Sequence, residues 1–150
     1  MEKLNFPNCN VLIKNKENKS FIFDRVRKKW LICTKEEWVR VHCVNFLIET
    51  KGYPASWILI EKEIKVYETK KRFDIVVSSL RGENHILIEC KAPSISITQE
   101  TFDQIARYNL SIKSRFLMVT NGFDHYFCQM DYKNKRYSFL KDLPNHISIS

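Results

Sequence analysis

The chain has 150 residues, 44% of them hydrophobic and 28% charged, with 25 Lys and Arg against 17 Asp and Glu for a formal net charge of +8. A chain of this length is expected to form one domain, residues 1–150, burying roughly 70% of the surface its unfolded form exposes, and three glycines and four prolines leave no low-complexity linker to divide it. The start, MEKLNFPN, has no signal-peptide apolar core and no apolar run reaches membrane-spanning length, so a cytoplasmic protein without a membrane partner is expected, and the basic excess favours a polyanion such as nucleic acid.

In chain order, SFIFDRVRKKWLIC (20–33) holds two short apolar runs separated by basic residues and predicts a small strand pair. Thr34 with Glu37 three residues on forms a capping box. Trp38, Val41 and Phe46 then give a helical apolar face, and Gly52 with Pro54 ends it, so a helix is predicted over about 35–51. WILIEKEIKV, KKRFDIVV and HILIEC predict three consecutive strands, the last two joined by the turn SLRGEN. Ser96 or Thr98 can cap a second helix, QETFDQIARYNL. RFLMVT reads as a buried strand, and HYFCQM and RYSFL as two more. This order implies an α/β or α+β sheet flanked by helices.

The five cysteines, Cys9, Cys33, Cys43, Cys90 and Cys128, are far apart and form no CxxC pair, which argues against a zinc cluster and for free thiols in a reducing compartment. His42, His85, His125 and His146 are scattered without metal spacing. Trp30, Trp38 and Trp57 sit in amphipathic runs and are most simply core. Tyr126, Tyr132 and Tyr137 are read as strand-packing residues.

The chemistry concentrates in RFDIVVSSLRGENHILIECKAP. Pairing the two runs as a hairpin about Arg81-Gly82 sets Asp74 opposite Glu89 on one face, with Lys91 two residues on and Cys90 turned to the core. Two such carboxylates repel unless one protonates or a cation intervenes. A hard divalent ion, Mg²⁺ with Mn²⁺ as substitute, suits an oxygen-only site, and a lysine at its rim can serve phosphate chemistry. The alternatives are a same-face Glu89–Lys91 ion pair and an Asp74 paired with Arg72 or Lys71. On the following helix, Gln104 and Tyr108 lie four residues apart on one stripe and can point towards the hairpin's carboxylates.

Asp74, Glu89-Cys90-Lys91 and Gln104-Ile-Ala-Arg-Tyr108, on strand, strand and helix, resemble the PD-(D/E)XK nuclease superfamily in its QxxxY-bearing, RecB-like form. The stretches KRFDIVV, ILIECKAPS, QETFDQIARYN and FLMVTNG look closest to the N-terminal nuclease domain of type I restriction enzyme R subunits. Glu36 and Arg40 before Gly52-Tyr53 are similar to the E-x-x-x-R helix found there. The resemblance covers about residues 30–128, with Phe73 in place of the motif proline.

It implies a restriction-endonuclease-like core, a mixed central sheet flanked by helices, and Mg²⁺-dependent hydrolysis of DNA. Asp74 and Glu89 are the implied metal ligands, with the Cys90 carbonyl completing the site. Lys91 acts in the chemical step, and Gln104 and Tyr108 support the site or touch DNA. Glu36 completes the acidic cluster in this reading, with Glu37 as the alternative. Implied partners are DNA and other subunits or domains of a restriction or repair system. R subunits continue into ATP-driven translocase domains, and nothing here resembles GxxxxGK[ST], so a stand-alone domain, a fragment or one component of an assembly is expected. The competing readings are a non-cleaving nucleic-acid-binding module on the same fold and an unrelated basic α/β domain that recruits a protein.

Overall fold

The computed structural model describes residues 1–147; the last three residues of the expected domain, 148–150, lie outside the described residues. The chain begins with a three-stranded antiparallel meander, β1 (Ile13–Lys16), β2 (Lys19–Asp24) and β3 (Lys29–Ile32). The two runs expected as a strand pair are β2 and β3. β1 escapes a sequence reading because all four residues of IKNK are exposed, so it has no buried face to produce a period. Glu17 and Asn18, both with positive φ, close the tight turn between β1 and β2.

Helix α1 (Lys35–Asn45) starts at Thr34, whose Oγ1 accepts from the Glu37 N–H at 3.0 Å. The reciprocal half of the capping box does not form, because the Glu37 carboxylate is engaged by arginines. The predicted helical span continues past α1 as a π-helical turn, Phe46–Thr50, whose Phe46 carbonyl accepts from Lys51 N–H at 3.0 Å. Gly52, at φ +78°, then lets the chain leave the helix.

The main sheet has six strands in simple order: β4 (Ile58–Val66), β5 (Thr69–Ser78), β6 (Asn84–Cys90), β7 (Phe116–Thr120), β8 (His125–Asp131) and β9 (Arg136–Leu140). Every neighbouring pair is antiparallel except β6–β7. That parallel step needs a crossover, which α2 (Gln99–Ile112) supplies. Of the two candidate caps it is Thr98 that binds, its Oγ1 accepting from Thr101 N–H.

Alternation along the central strands divides the core. Ile86 and Ile88 of β6 pack with Val39, Cys43 and Val44 of α1, whereas Leu87 packs with Phe102, Ile105 and Ala106 of α2. A helix therefore covers each face of a mixed sheet, the α/β arrangement expected. All five cysteines are free thiols, four of them buried. No helix among the described residues is long and apolar enough to cross a membrane. The core reading of Trp30 fails, since it is 37% exposed because only one side of the N-terminal meander is covered, and Trp57 is half-buried outside the core clusters.

Candidate active site

The β5–β6 register pairs Ile75 with Ile88 and Val76 with Leu87, so one further step sets Asp74 opposite Glu89 as the turn symmetry required. A bulge at Val77/Ser78 absorbs the irregular turn before it can disturb that pairing. The Asp74 N–H lies 3.4 Å from Glu89 Oε1, and the Cys90 N–H donates to Asp74 Oδ2 at 2.8 Å. Cys90 itself faces the core beside Cys43 and Ile88. β5 and β6 thus present two carboxylates where the hairpin meets α1.

Their compensation is unequal. Asp74 Oδ1 accepts from Arg40 Nη2 at 2.8 Å, and the same nitrogen donates to Glu36 Oε1 at 2.6 Å. Arg40 Nη1 holds Glu37 Oε1, and Glu37 Oε2 accepts from Arg27 Nη2 at 2.7 Å. Arg27 in turn binds Asp24, which also caps the turn by accepting from the Val26 and Arg27 N–H groups. A chain of alternating charge therefore runs from the N-terminal meander through α1 to β5. Arg40 is only 4% exposed. Burial alone would lower its pKa, but the Asp74 carboxylate and Glu37 raise it and keep the guanidinium charged.

Glu89 has no such counter-charge bound to it among the described residues. It is 7% exposed, and burial, followed by the charge and hydrogen bonding of Asp74, pushes its carboxyl up to about 8. Lys71 works in the other direction without cancelling the shift. Its ammonium sits 4.8 Å from the centre of the Tyr108 ring, which brings α2 to the same end of the hairpin.

The structure thus gathers Asp74, Glu89 and Cys90 closely, ties Glu36 and Glu37 to them through Arg40, and sets Tyr108 beside Lys71. Lys91 follows directly on β6. Its N–H donates to the Thr120 carbonyl at 2.8 Å, and its half-buried ammonium makes no ion pair among the described residues. The Glu89–Lys91 pair is therefore not formed. Arg72 pairs with Glu63 instead of Asp74. Gln104 is exposed and makes no side-chain hydrogen bond among the described residues, so the structure does not bring it to the carboxylates. Sequence reasoning missed that Arg40 is the counter-charge of Asp74, and that Lys71, weighed as a partner of Asp74, acts instead on Glu89 from beside the Tyr108 ring. The Glu36-x-x-x-Arg40 spacing was the available signal for the first; nothing local announced the second.

Residues 35–144 match the family described as type I restriction enzyme R protein N terminus (HSDR_N). The chain belongs to that family. The fold of this R-protein N-terminal domain is also that of a solved structure described as a fragment of an HsdR subunit of a type I restriction enzyme from Vibrio vulnificus YJ016. The two share 18% identity and a TM-score of 0.53 over 75% of this chain. The chain spans only 24% of the length of that structure. No curated protein matches the chain at a significant level. The family match begins at α1 and runs past β9, so it takes in every residue of the charged cluster except Asp24 and Arg27.

Whether this R-protein N terminus suits the Mg²⁺ its resemblance implies can be judged from its donors. Among the described residues no three His, Cys, Asp or Glu side chains converge as a ready cation cage. What exists is a pair of hard oxygen donors, Asp74 and Glu89, with the Cys90 backbone beside them. Burial first, and then the charge of Asp74, drive Glu89 towards protonation, and a divalent cation between the two carboxylates would offset both. An oxygen pair with an incomplete protein shell fits Mg²⁺, which keeps several waters, better than a softer metal.

Proposed function

We propose that this domain hydrolyses phosphodiester bonds in DNA with Mg²⁺, or Mn²⁺ in its place, at Asp74, Glu89 and Lys91. One observation carries the reading. Two opposed carboxylates, one of them pushed up to about 8 by burial beside the other, are followed two residues past Glu89 by a lysine with no ion-pair partner among the described residues. A fold has little use for so costly a pair unless something charged is to sit there.

In this reading Asp74, Glu89 and the Cys90 carbonyl are the ligands, and Glu36 or Glu37 completes the acidic cluster from α1. The ion, when bound, supplies positive charge to a phosphoryl oxygen and acidity to a water. The rest falls to the chain. Arg40 fixes the Asp74 carboxylate by one oxygen while the Cys90 N–H fixes the other. Lys91 donates to the attacking water or to the charge that develops on the phosphate. Tyr108 holds Lys71 at the rim, and Gln104 contacts DNA rather than the carboxylates. The formal charge of +8 supports a polyanionic substrate. Other subunits of a restriction system are the natural assembly partners of such a domain.

Arg40 favours a second reading. It already neutralises Asp74 without a metal, as a non-cleaving DNA-binding module on this fold would require. Incubating linear and circular DNA with the protein in Mg²⁺, Mn²⁺ or chelator, with Glu89→Ala alongside, separates the two. Metal-dependent cleavage that Glu89→Ala abolishes is the expected result. DNA binding with no cleavage by the wild-type protein in either metal would transfer the case to the binding module.

A further inference from the structure

The N-terminal meander lies outside the span the family match covers, and it buries only one face. Ile22 and Leu31 turn inwards against Val41, Cys33 and Trp38. The alternate positions turn out: Lys14, Phe21 and Ile32 stand in one cross-strand row, and Phe23 and Trp30 in the next. Trp30 is 37% exposed and Ile32 55%, so this apolar surface is open to water. The Phe23 and Trp30 rings meet edge-on with centroids 5.3 Å apart, and Lys14 Nζ rests 4.4 Å from the Trp30 ring centre.

Charge is concentrated on the same three strands. Residues 13–32 carry seven basic side chains against Glu17 and Asp24, a net +5 out of the +8 of the whole chain. Asp24 is paired with Arg27 in the interior, while Lys14 and Lys16 on β1 and Lys19 at the start of β2 are all exposed. Lysine is depleted from the cores of protein–protein interfaces, yet here one lies directly over the central aromatic ring. A contact of that kind at an exposed site is weak and easily exchanged for another partner of the ring.

We propose that the outer face of β1–β3 binds an unpaired nucleic-acid strand, with bases stacked on Trp30 and its neighbours Phe21 and Phe23 and phosphates held by Lys14, Lys16 and Lys19. A duplex hides its base faces, so only a single strand can use both halves of this surface. Stacking accepts every base, so the site tolerates any sequence. The site is separate from the hairpin carboxylates and does not depend on cleavage there.

The test is fluorescence anisotropy in chelator with labelled oligo-dT and oligo-U of roughly 15 nucleotides, near the upper end of the site sizes of single-strand-binding folds and so longer than this face, and with a duplex of the same length. Wild-type protein should bind at least one single strand more tightly than the duplex; the two labelled strands distinguish DNA from RNA. Trp30→Ala should weaken that binding on the order of 10-fold. Lys14→Glu with Lys16→Glu should weaken it too and flatten its salt dependence, which keeps the test decisive if Trp30→Ala fails to fold. Chelator removes metal-dependent cleavage from the readout, so loss of this site and failure of the proposed hydrolysis are read apart. Equal affinity of wild type and the folded surface variants, or a preference for duplex, would overturn the proposal. So would an absence of strand binding combined with self-association that Trp30→Ala abolishes, which would give the face to a second copy of the chain.

Discussion

Replacing Glu89 by glutamine should stabilise the metal-free protein at neutral pH, although a buried side chain at the heart of the site is being changed. Glutamine has the shape of the protonated acid and lacks its ionisation. Burial and the adjacent Asp74 push the Glu89 carboxyl from an ordinary 4.5 up to about 8. Below pH 4.5 the folded and unfolded chains both hold the proton, and the residue costs nothing. Between 4.5 and 8 the unfolded chain has released it and the folded chain has not, so stability falls as pH rises, and the loss is complete above about 8. At about 1.4 kcal/mol per pH unit, the loss by pH 7 is roughly 3 kcal/mol. Urea denaturation in chelator, followed by circular dichroism at pH 5, 7 and 8, measures it. Glu89→Gln should lie within about 1 kcal/mol of wild type at pH 5 and pull ahead steadily towards pH 8. A variant less stable than wild type at every pH, or a gap that does not change with pH, would refute the reasoning.

Arg40 is the opposite case, because it is the shared counter-charge of Asp74, Glu36 and Glu37. Arg40→Met should cost about 3–5 kcal/mol in denaturant, as breaking a buried ion pair from one side does. Adding Asp74→Asn to it should recover part of that loss; a strictly additive double variant would mean the two side chains are not coupled. Calorimetry with Mn²⁺ should detect binding that Asp74→Asn weakens on the order of 10-fold or more, and equal heats for the two proteins would remove the metal. Gln104→Ala should slow cleavage less than removal of Lys91 does, since Gln104 is exposed and makes no side-chain hydrogen bond among the described residues; a larger loss in a single-turnover comparison would move Gln104 into the chemistry.

The opposition of Asp74 and Glu89 was legible because it follows from arithmetic: a hairpin turn fixes which residues face each other, and alternation fixes the side. Short apolar runs bounded by turn residues marked β4 to β9, and the helical apolar period with its cap marked α1. What was illegible came from elements crossing in space. No local pattern says that α1 will lay Arg40 across β5, so neither the metal nor the lysine and arginine neighbours in sequence name the actual counter-charge: Asp74 has the Arg40 guanidinium, and Glu89 has no ion-pair partner among the described residues. The π-helical turn at Phe46–Thr50 likewise keeps the apolar spacing of an ordinary helix closely enough to pass for one. Trp30 was misjudged for a related reason. Alternation reveals that a strand has two unlike faces, and only the packed structure tells which of them is covered.

Single-turnover cleavage of DNA in Mg²⁺ by wild type and folded Lys91→Ala tests the proposed chemistry most directly. Lys91 follows Glu89 by two residues and makes no ion pair with either carboxylate among the described residues, so removing it takes away none of the contacts that Asp74 and Glu89 make. The account predicts a rate lower by ~10²–10³ with Mn²⁺ binding largely retained. Cleavage by Lys91→Ala at the wild-type rate would contradict it.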